Sequence, residues 1–243
     1  MAPMLVNAVI QARLSSSRLP GKVLEPLGNA SVLSWVVDAA RRAPGIAEVI
    51  VATSTSADDD AVAAEADACA APVVRGPLDD VLERYRLAIE KFPCDAVVRL
   101  TADCPLLDPR LIGQVVALWR SDPSLDYVSN VLTRTYPRGL DTELVRAEVL
   151  NTVEASGSDR IHVTSAVYHA PERYRCAGVH GGRDDSDLRV TVDTAEDYAV
   201  VQAIVDELGS SSSDVRAVVD FLRSRPDIAQ GNSVVPQKPL AAG

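Results

Sequence analysis

The chain has 243 residues and a formal net charge of −10 at pH 7. That charge argues against a partner such as nucleic acid or an anionic membrane surface, because phosphate backbones require a basic footprint. Apolar residues at 47% and charged residues at 24% exclude a disordered or fibrous chain, and the length suits one α/β domain with a sizeable core. Cys69, Cys94, Cys104 and Cys176 lie far apart without C-x-x-C spacing, so they read as reduced thiols and not as a disulfide framework or a zinc site. No apolar run approaches the length of a membrane span, and residues 1–10 lack the charged leader and long apolar core of a signal peptide. The expected location is the cytoplasm.

In chain order, the apolar run 5–10 is a buried strand that stops at the polar segment 11–22. Ser31 is a plausible N-cap for a helix whose stripe is Val32, Leu33, Val36, Val37 and Ala40, ending before Pro44 and Gly45. Residues 48–53 form a second strand, and Ala61, Val62 and Ala66 mark a second helix after the acidic residues 58–60. A brief third strand spans 72–75. A third helix begins at Asp79, with Leu82, Tyr85, Ile89 and Phe92 at helical spacing. Residues 95–101 form a fourth strand, apolar enough to be covered on both faces. Strands alternating with helices predict a doubly wound, mostly parallel sheet.

Regularity weakens after Asn130. Residues 130–186 hold a strand near 140–145, helices near 146–155 and 161–169 and a Gly-rich piece at 178–182, and they read as an insertion before a last core strand at 188–192. A helix over 195–208 follows, then a flexible Ser-rich link at 210–213 and a helix over 215–223. Residues 1–225 are read as one domain and 226–243 as a flexible tail.

In open α/β sheets, ligands bind beyond the carboxyl ends of the strands. After the first strand, Gln11 to Lys22 combines Arg13, Arg18 and Lys22 with Ser15, Ser16 and Ser17. Backbone N–H groups, hydroxyls, a forked Arg and a point-charge Lys suit a triphosphate, whose charge must be spread over many donors. The spacing is not that of a P-loop, and the same composition also suits a solvated basic loop. Asp103 ends a buried strand, where a carboxylate can hold a hard cation; it equally suits a turn ahead of Pro105. Asp193 closes the predicted last strand and is either a second metal ligand or a helix N-cap, while Thr194 and Asp197 have capping-box spacing.

These segments, in order, resemble the cytidylyltransferases of the spore coat polysaccharide biosynthesis type, relatives of the enzymes that activate sialic acids and keto-deoxy sugar acids with CMP. The matching stretches are 8–24, 75–85, 99–106, 136–143, 159–164 and 188–197, spanning about residues 5–205. The resemblance implies a Rossmann-like sheet of the nucleotide-diphospho-sugar transferase type and a homodimer built partly from 130–186. It implies Arg13 and Lys22 on the CTP phosphates, with Ile10, Gln11, Ala12, Ser17, Thr101 and Ala102 beside the nucleotide. Asp79 and Asp80 fall near nucleotide or acceptor, Arg138 and Asp141 at the acceptor mouth, and Asp103 and Asp193 on Mg2+. Arg13, Lys22 and Asp103 are the residues implied to carry catalysis. One departure is that Ile161 stands before His162 where the family has an acidic residue.

The implied reaction is in-line attack of an acceptor oxygen on the α-phosphorus of CTP, with pyrophosphate leaving. His162, His169 and His180 offer no general base that the pattern singles out, and an acceptor already ionised would need none. The acceptor reads as a sugar acid, a phosphonate or a sugar phosphate. Two rival readings are a glycosyltransferase, whose D-x-D motif is approximated only by Asp184 to Asp187, and a non-catalytic nucleotide-binding subunit.

Overall fold

In the computed structural model, which describes residues 4–236, the first apolar run forms β1 (Val6–Gln11), the strand around which the sheet is laid. A small hairpin of β2 (Pro26–Leu27) and β3 (Ala30–Ser31) leads into α1 (Val32–Arg42), whose N-cap Ser31 accepts the Ser34 N–H at 3.0 Å. Then come β4 (Val49–Ser54), α2 (Asp60–Ala68) and β5 (Val73–Gly76). The chain returns through α3 (Val81–Lys91), capped by Asp80, to β6 (Ala96–Thr101) on the other side of β1. The predicted elements of this half fall where the pattern puts them, within about two residues at each end.

The next helix, α4 (Pro109–Ser121), has no counterpart in the sequence reading. Its signals are nonetheless present: Asp108 as N-cap, a proline in the first turn, and Leu111, Ile112, Val115, Val116 and Trp119 on its buried face. After it run β7 (Tyr127–Ser129), β8 (Glu143–Arg146), α5 (Ala147–Thr152), α6 (Asp159–His162), α7 (Ser165–Tyr168) and β9 (Cys176–Gly178). The helix expected over 161–169 is thus two single turns, broken where Val163 takes φ 66°. The chain ends in α8 (Ala195–Leu208), α9 (Val215–Ser224) and α10 (Pro226–Ala229).

The sheet order is β5-β4-β1-β6-β8-β7-β9. Strands β5, β4, β1 and β6 are parallel; β8 is antiparallel to both β6 and β7, and β7 pairs β9 in parallel. Residues 130–186 therefore extend the sheet through β8 and β9. Alternation along the central strands separates the two faces. Ala8, Ile10, Val98 and Leu100 pack with α1 and α4, whereas Val9, Ile50, Ala52 and Val97 pack with α3. A third cluster joins α8 and α9 to Leu188, Val190 and Val192.

Three expectations are corrected. Residues 188–192 are not a strand of the sheet: their only ladder contact among the described residues is a bridge between Arg138 and Arg189. Leu188, Val190 and Val192 alternate with the polar Arg189 and Thr191 as in a strand, but all five are buried and the backbone is used elsewhere. Val190 N–H donates to the Arg138 carbonyl at 2.7 Å and Val192 N–H to the Asp103 carbonyl at 2.8 Å. The Ser-rich link is a 3-10 turn, Gly209–Ser213, with Ser212 and Ser213 buried. The expected tail starts as α10 and a turn in which Asn232 is buried; residues 237–243 lie outside the described part.

Candidate active site

The switch in strand order lies between β1 and β6, and the carboxyl ends of these strands open into a cleft of about 330 Å3. The segment after β1 forms one wall. Its fold is set by the buried carboxylate of Asp59, which accepts the Leu14 N–H at 2.6 Å and the Ser54 N–H at 3.2 Å. Burial alone would raise the Asp59 pKa, but these donors and the Ser54 hydroxyl hold it below the ordinary carboxylate value. Gly21, at φ 77°, then turns the chain into the short 3-10 turn Lys22–Leu24, so that Lys22 points back into the cleft.

Lys22 Nζ lies 2.7 Å from Asp103 Oδ2 and 2.7 Å from Asp193 Oδ1. Burial would push Asp103 up, but the Lys22 ammonium holds it down at about 2, and the Lys22 pKa is raised in spite of its own burial because both carboxylates face it. Arg18 reaches Asp193 Oδ2 at 2.9 Å, and Arg189 reaches the same oxygen at 2.8 Å. The N-cap of α8 is Thr194, in a capping box with Asp197, so Asp193 is released from capping and faces the cleft. Asp197 accepts the Asp193 N–H at 3.0 Å and pairs with Arg189 at 2.7 Å, which fixes the backbone that carries Asp193.

The opposite wall is built on the α3 face of the sheet. Gln11 Oε1 accepts Arg99 Nε–H at 3.1 Å, and Arg99 is paired with the buried Glu143. Tyr127 and Thr164 donate to Glu143 Oε2 at 2.5 and 2.6 Å. Burial, then Glu143, push the Tyr127 phenol well above its ordinary value, so it stays a donor. At the rim, Arg134 clamps Asp141 with two bonds of 2.6 and 2.8 Å, and Arg138 and Gly139 face the cleft next to it. Cys104 also lines the site, but burial raises its thiol pKa so far that it offers no thiolate.

Of the residues singled out in the sequence, Gln11, Ala12, Arg13, Ser17, Lys22, Thr101, Ala102, Asp103, Arg138, Asp141 and Asp193 are brought to this cleft. Three are not. Ile10 is wholly buried beneath the sheet, Asp79 is exposed outside the lining, and Asp80 caps α3 and bonds Arg160 Nε at 2.7 Å. Arg84, Arg99 and His162 line the cleft without having been singled out as binding residues. Arg84 carried a signal, since it shares the buried face of α3 with Val81, Tyr85 and Ala88, and a cation on an apolar stripe needs a reason. The D-x-D approximation is structural: Asp185 and Asp187 are both held by Arg223.

A mostly parallel α/β sheet whose switch point joins a Ser- and Arg-rich loop, a lysine and two strand-end carboxylates defines a nucleotidyltransferase. Residues 7–206 match the family model described as cytidylyltransferase, and the chain belongs to that family, whose members are CTP-dependent nucleotidyltransferases. It is 31% identical over 234 residues to the spore coat polysaccharide biosynthesis protein SpsF of Bacillus subtilis, covering 91% of this chain and 95% of that protein. It is 34% identical over 177 residues to a 3-deoxy-manno-octulosonate cytidylyltransferase of Anaeromyxobacter, covering 71% of this chain and 66% of that one. A solved cytidylyltransferase from Leptospira borgpetersenii superposes with a TM-score of 0.89 at 29% identity, covering 94% of this chain and 98% of that chain. Among the described residues no helix is long and apolar enough to cross a membrane.

Proposed function

We propose that this cytidylyltransferase moves CMP from CTP to a small anionic or hydroxylated acceptor with the aid of Mg2+, releasing pyrophosphate. The observation that carries this reading is the placement of Lys22 between Asp103 and Asp193 at the switch point. Two carboxylates that converge on one cation, beside a loop of hydroxyls and arginines, are the donor set a Mg2+–polyphosphate complex requires. Asp103 and Asp193 would hold the ion, which when bound neutralises charge on the α-phosphoryl group and on the departing pyrophosphate.

The chain's own groups account for the remaining catalysis. Arg13, Arg18 and Lys22 take the phosphate charges, and Ser17 and the backbone N–H groups of the loop add donors, so the triphosphate is held before reaction with little reorganisation. Arg138 and Asp141 at the rim orient the acceptor. The similarity to the Anaeromyxobacter 3-deoxy-manno-octulosonate cytidylyltransferase supports a sugar acid as the first acceptor to try. A homodimer that uses part of 130–186 belongs to the same reading and is tested by sedimentation.

Calorimetric titration with each nucleoside triphosphate, with and without Mg2+, tests the reading. Tight Mg2+-dependent binding of CTP, followed by pyrophosphate release on addition of a sugar acid, a phosphonate or a sugar phosphate, is the expected result. Binding of a nucleotide sugar with no preference for CTP would overturn it in favour of glycosyl transfer.

A further inference from the structure

Lys22 holds both of the carboxylates proposed above as metal ligands. Its Nζ lies 2.7 Å from Asp103 Oδ2 and 2.7 Å from Asp193 Oδ1, and its side chain is 11% exposed. The other oxygen of Asp193 is taken by Arg18 at 2.9 Å and Arg189 at 2.8 Å, and Arg189 also pairs with Asp197. These ion pairs join Lys22, Arg18 and Arg189 to Asp103, Asp193 and Asp197, so the cluster is charge-balanced. A divalent cation that enters it must displace one of these partners and meet the charge left over, which is costly in a largely buried set.

Lys22 is the partner in direct conflict with such an ion. Mg2+ draws its oxygen ligands to about 2.0–2.1 Å, closer than the ammonium holds them, so the two cations cannot share the oxygens that face each other. At a few ångströms they also repel. Arg18 and Arg189 approach Asp193 from its other oxygen and leave Oδ1 to the lysine. Lys22 is also the cation best suited to move, as a compact charge on a flexible four-carbon stem, whereas the fork of Arg189 is fixed by two carboxylates. Arg13 and Ser15 to Ser17 line the same cleft, where a bound triphosphate would supply the ammonium with new acceptors. We propose that Lys22 is a resident counter-ion that keeps divalent cations off Asp103 and Asp193 until a nucleoside triphosphate draws the ammonium onto its phosphates. Metal and nucleotide then enter together, each raising the affinity for the other. This rests on the assignment of the two carboxylates given above.

The test uses Mn2+, which prefers the same oxygen donors as Mg2+ and whose free ion is counted by electron paramagnetic resonance. Nucleotide-free wild type is compared with Lys22→Met, which keeps an unbranched stem without the charge, and with Lys22→Arg, which keeps the charge. Lys22→Met is expected to bind Mn2+ at least about tenfold more tightly than wild type, since one cation beside the two carboxylates is gone. Lys22→Arg should stay close to wild type. Thermal unfolding supplies a second readout: Lys22→Met should melt below wild type and be restored by Mn2+ alone, whereas wild type should gain from Mn2+ only when CTP is present. Lys22→Gln answers the same question should Lys22→Met fail to fold. Nucleotide-free wild type that binds Mn2+ as tightly as the neutral variants would overturn the proposal. So would neutral variants that still bind no Mn2+, because the ammonium would then not be what keeps the ion out. Wild type that is stabilised by CTP with no further effect of Mn2+ would instead sink the metal assignment itself.

Discussion

Gly139 lies so close to Thr191 that a Cβ built on it would sit 2.4 Å from the Thr191 backbone nitrogen and 2.6 Å from the Val190 carbonyl carbon. Its φ of 104° is also one that side-chain-bearing residues rarely adopt. The contact presses the rim segment carrying Arg138 and Asp141 onto the backbone that leads to Asp193, two residues beyond Thr191. Gly139→Ala must push these backbones apart. It is expected to cost about 2 kcal/mol or more in urea unfolding and to reduce turnover, because Asp193 moves with Thr191. Wild-type stability together with wild-type turnover would show that the close approach is not needed.

Asp103→Asn removes a charge without changing shape. If Asp103 holds the metal, turnover falls on the order of a hundredfold or more, equivalent to ~2.7 kcal/mol of transition-state stabilisation, while the fold persists. If it is only a turn residue, turnover stays within about twofold and only stability shifts, by about 2–3 kcal/mol, through loss of the buried pairing with Lys22. Initial rates of pyrophosphate release over a range of Mg2+ concentrations separate the two, since a lost ligand also raises the Mg2+ needed for half-maximal rate.

The same pair sets a pH dependence. Asp103 is depressed from 3.8 to about 2 in the folded protein. A depressed carboxylate binds fewer protons folded than unfolded, so its contribution to stability is present above the ordinary value and is lost as the pH falls through about 2. Lys22, raised above 10.5, contributes below that value and loses its contribution as the pH rises through the folded one. The urea midpoint should therefore drop more steeply between about pH 4 and pH 2 in wild type than in Asp103→Asn. Parallel slopes would mean that the pairing contributes nothing to the folded state.

How much of this was legible in the sequence follows from how local each signal is. The order of β1, α1, β4, α2, β5, α3 and β6 is written in runs of apolar residues and in a cap such as Ser31, which need no knowledge of distant partners. Position after a strand was enough to bring Gln11, Lys22 and Asp103 together, because a parallel sheet carries every strand end to one edge. Residues 188–192 show the limit: alternation predicts an extended chain with one buried side, but whether its N–H groups join the sheet depends on Arg138 and Asp103, far away in sequence. The network of Glu143 with Arg99, Tyr127 and Thr164 is invisible for the same reason, as each member comes from a different element. The family resemblance puts Asp79 and Asp80 near nucleotide or acceptor, whereas cap geometry and Arg160 employ Asp80 and leave Asp79 to solvent.

A buried amide ties the C-terminal part to the site. Asn232 Nδ2 lies 2.8 Å from Asp197 Oδ1 and 3.2 Å from the Arg189 carbonyl, and the residue is 1% exposed. Asp197 and Arg189 are in turn the partners that fix Asp193, by its N–H and by its Oδ2. Asn232→Ala leaves a buried carboxylate oxygen short of one donor, at a cost of about 1–3 kcal/mol. Because Arg189 still pairs with Asp197, the cluster should loosen but not collapse. Turnover is expected to fall by less than in Asp193→Asn, and the required Mg2+ concentration should rise in the same direction. Loss of stability with Mg2+ dependence unchanged would instead make Asn232 an anchor for the chain after α9, with no influence on how Asp193 is held.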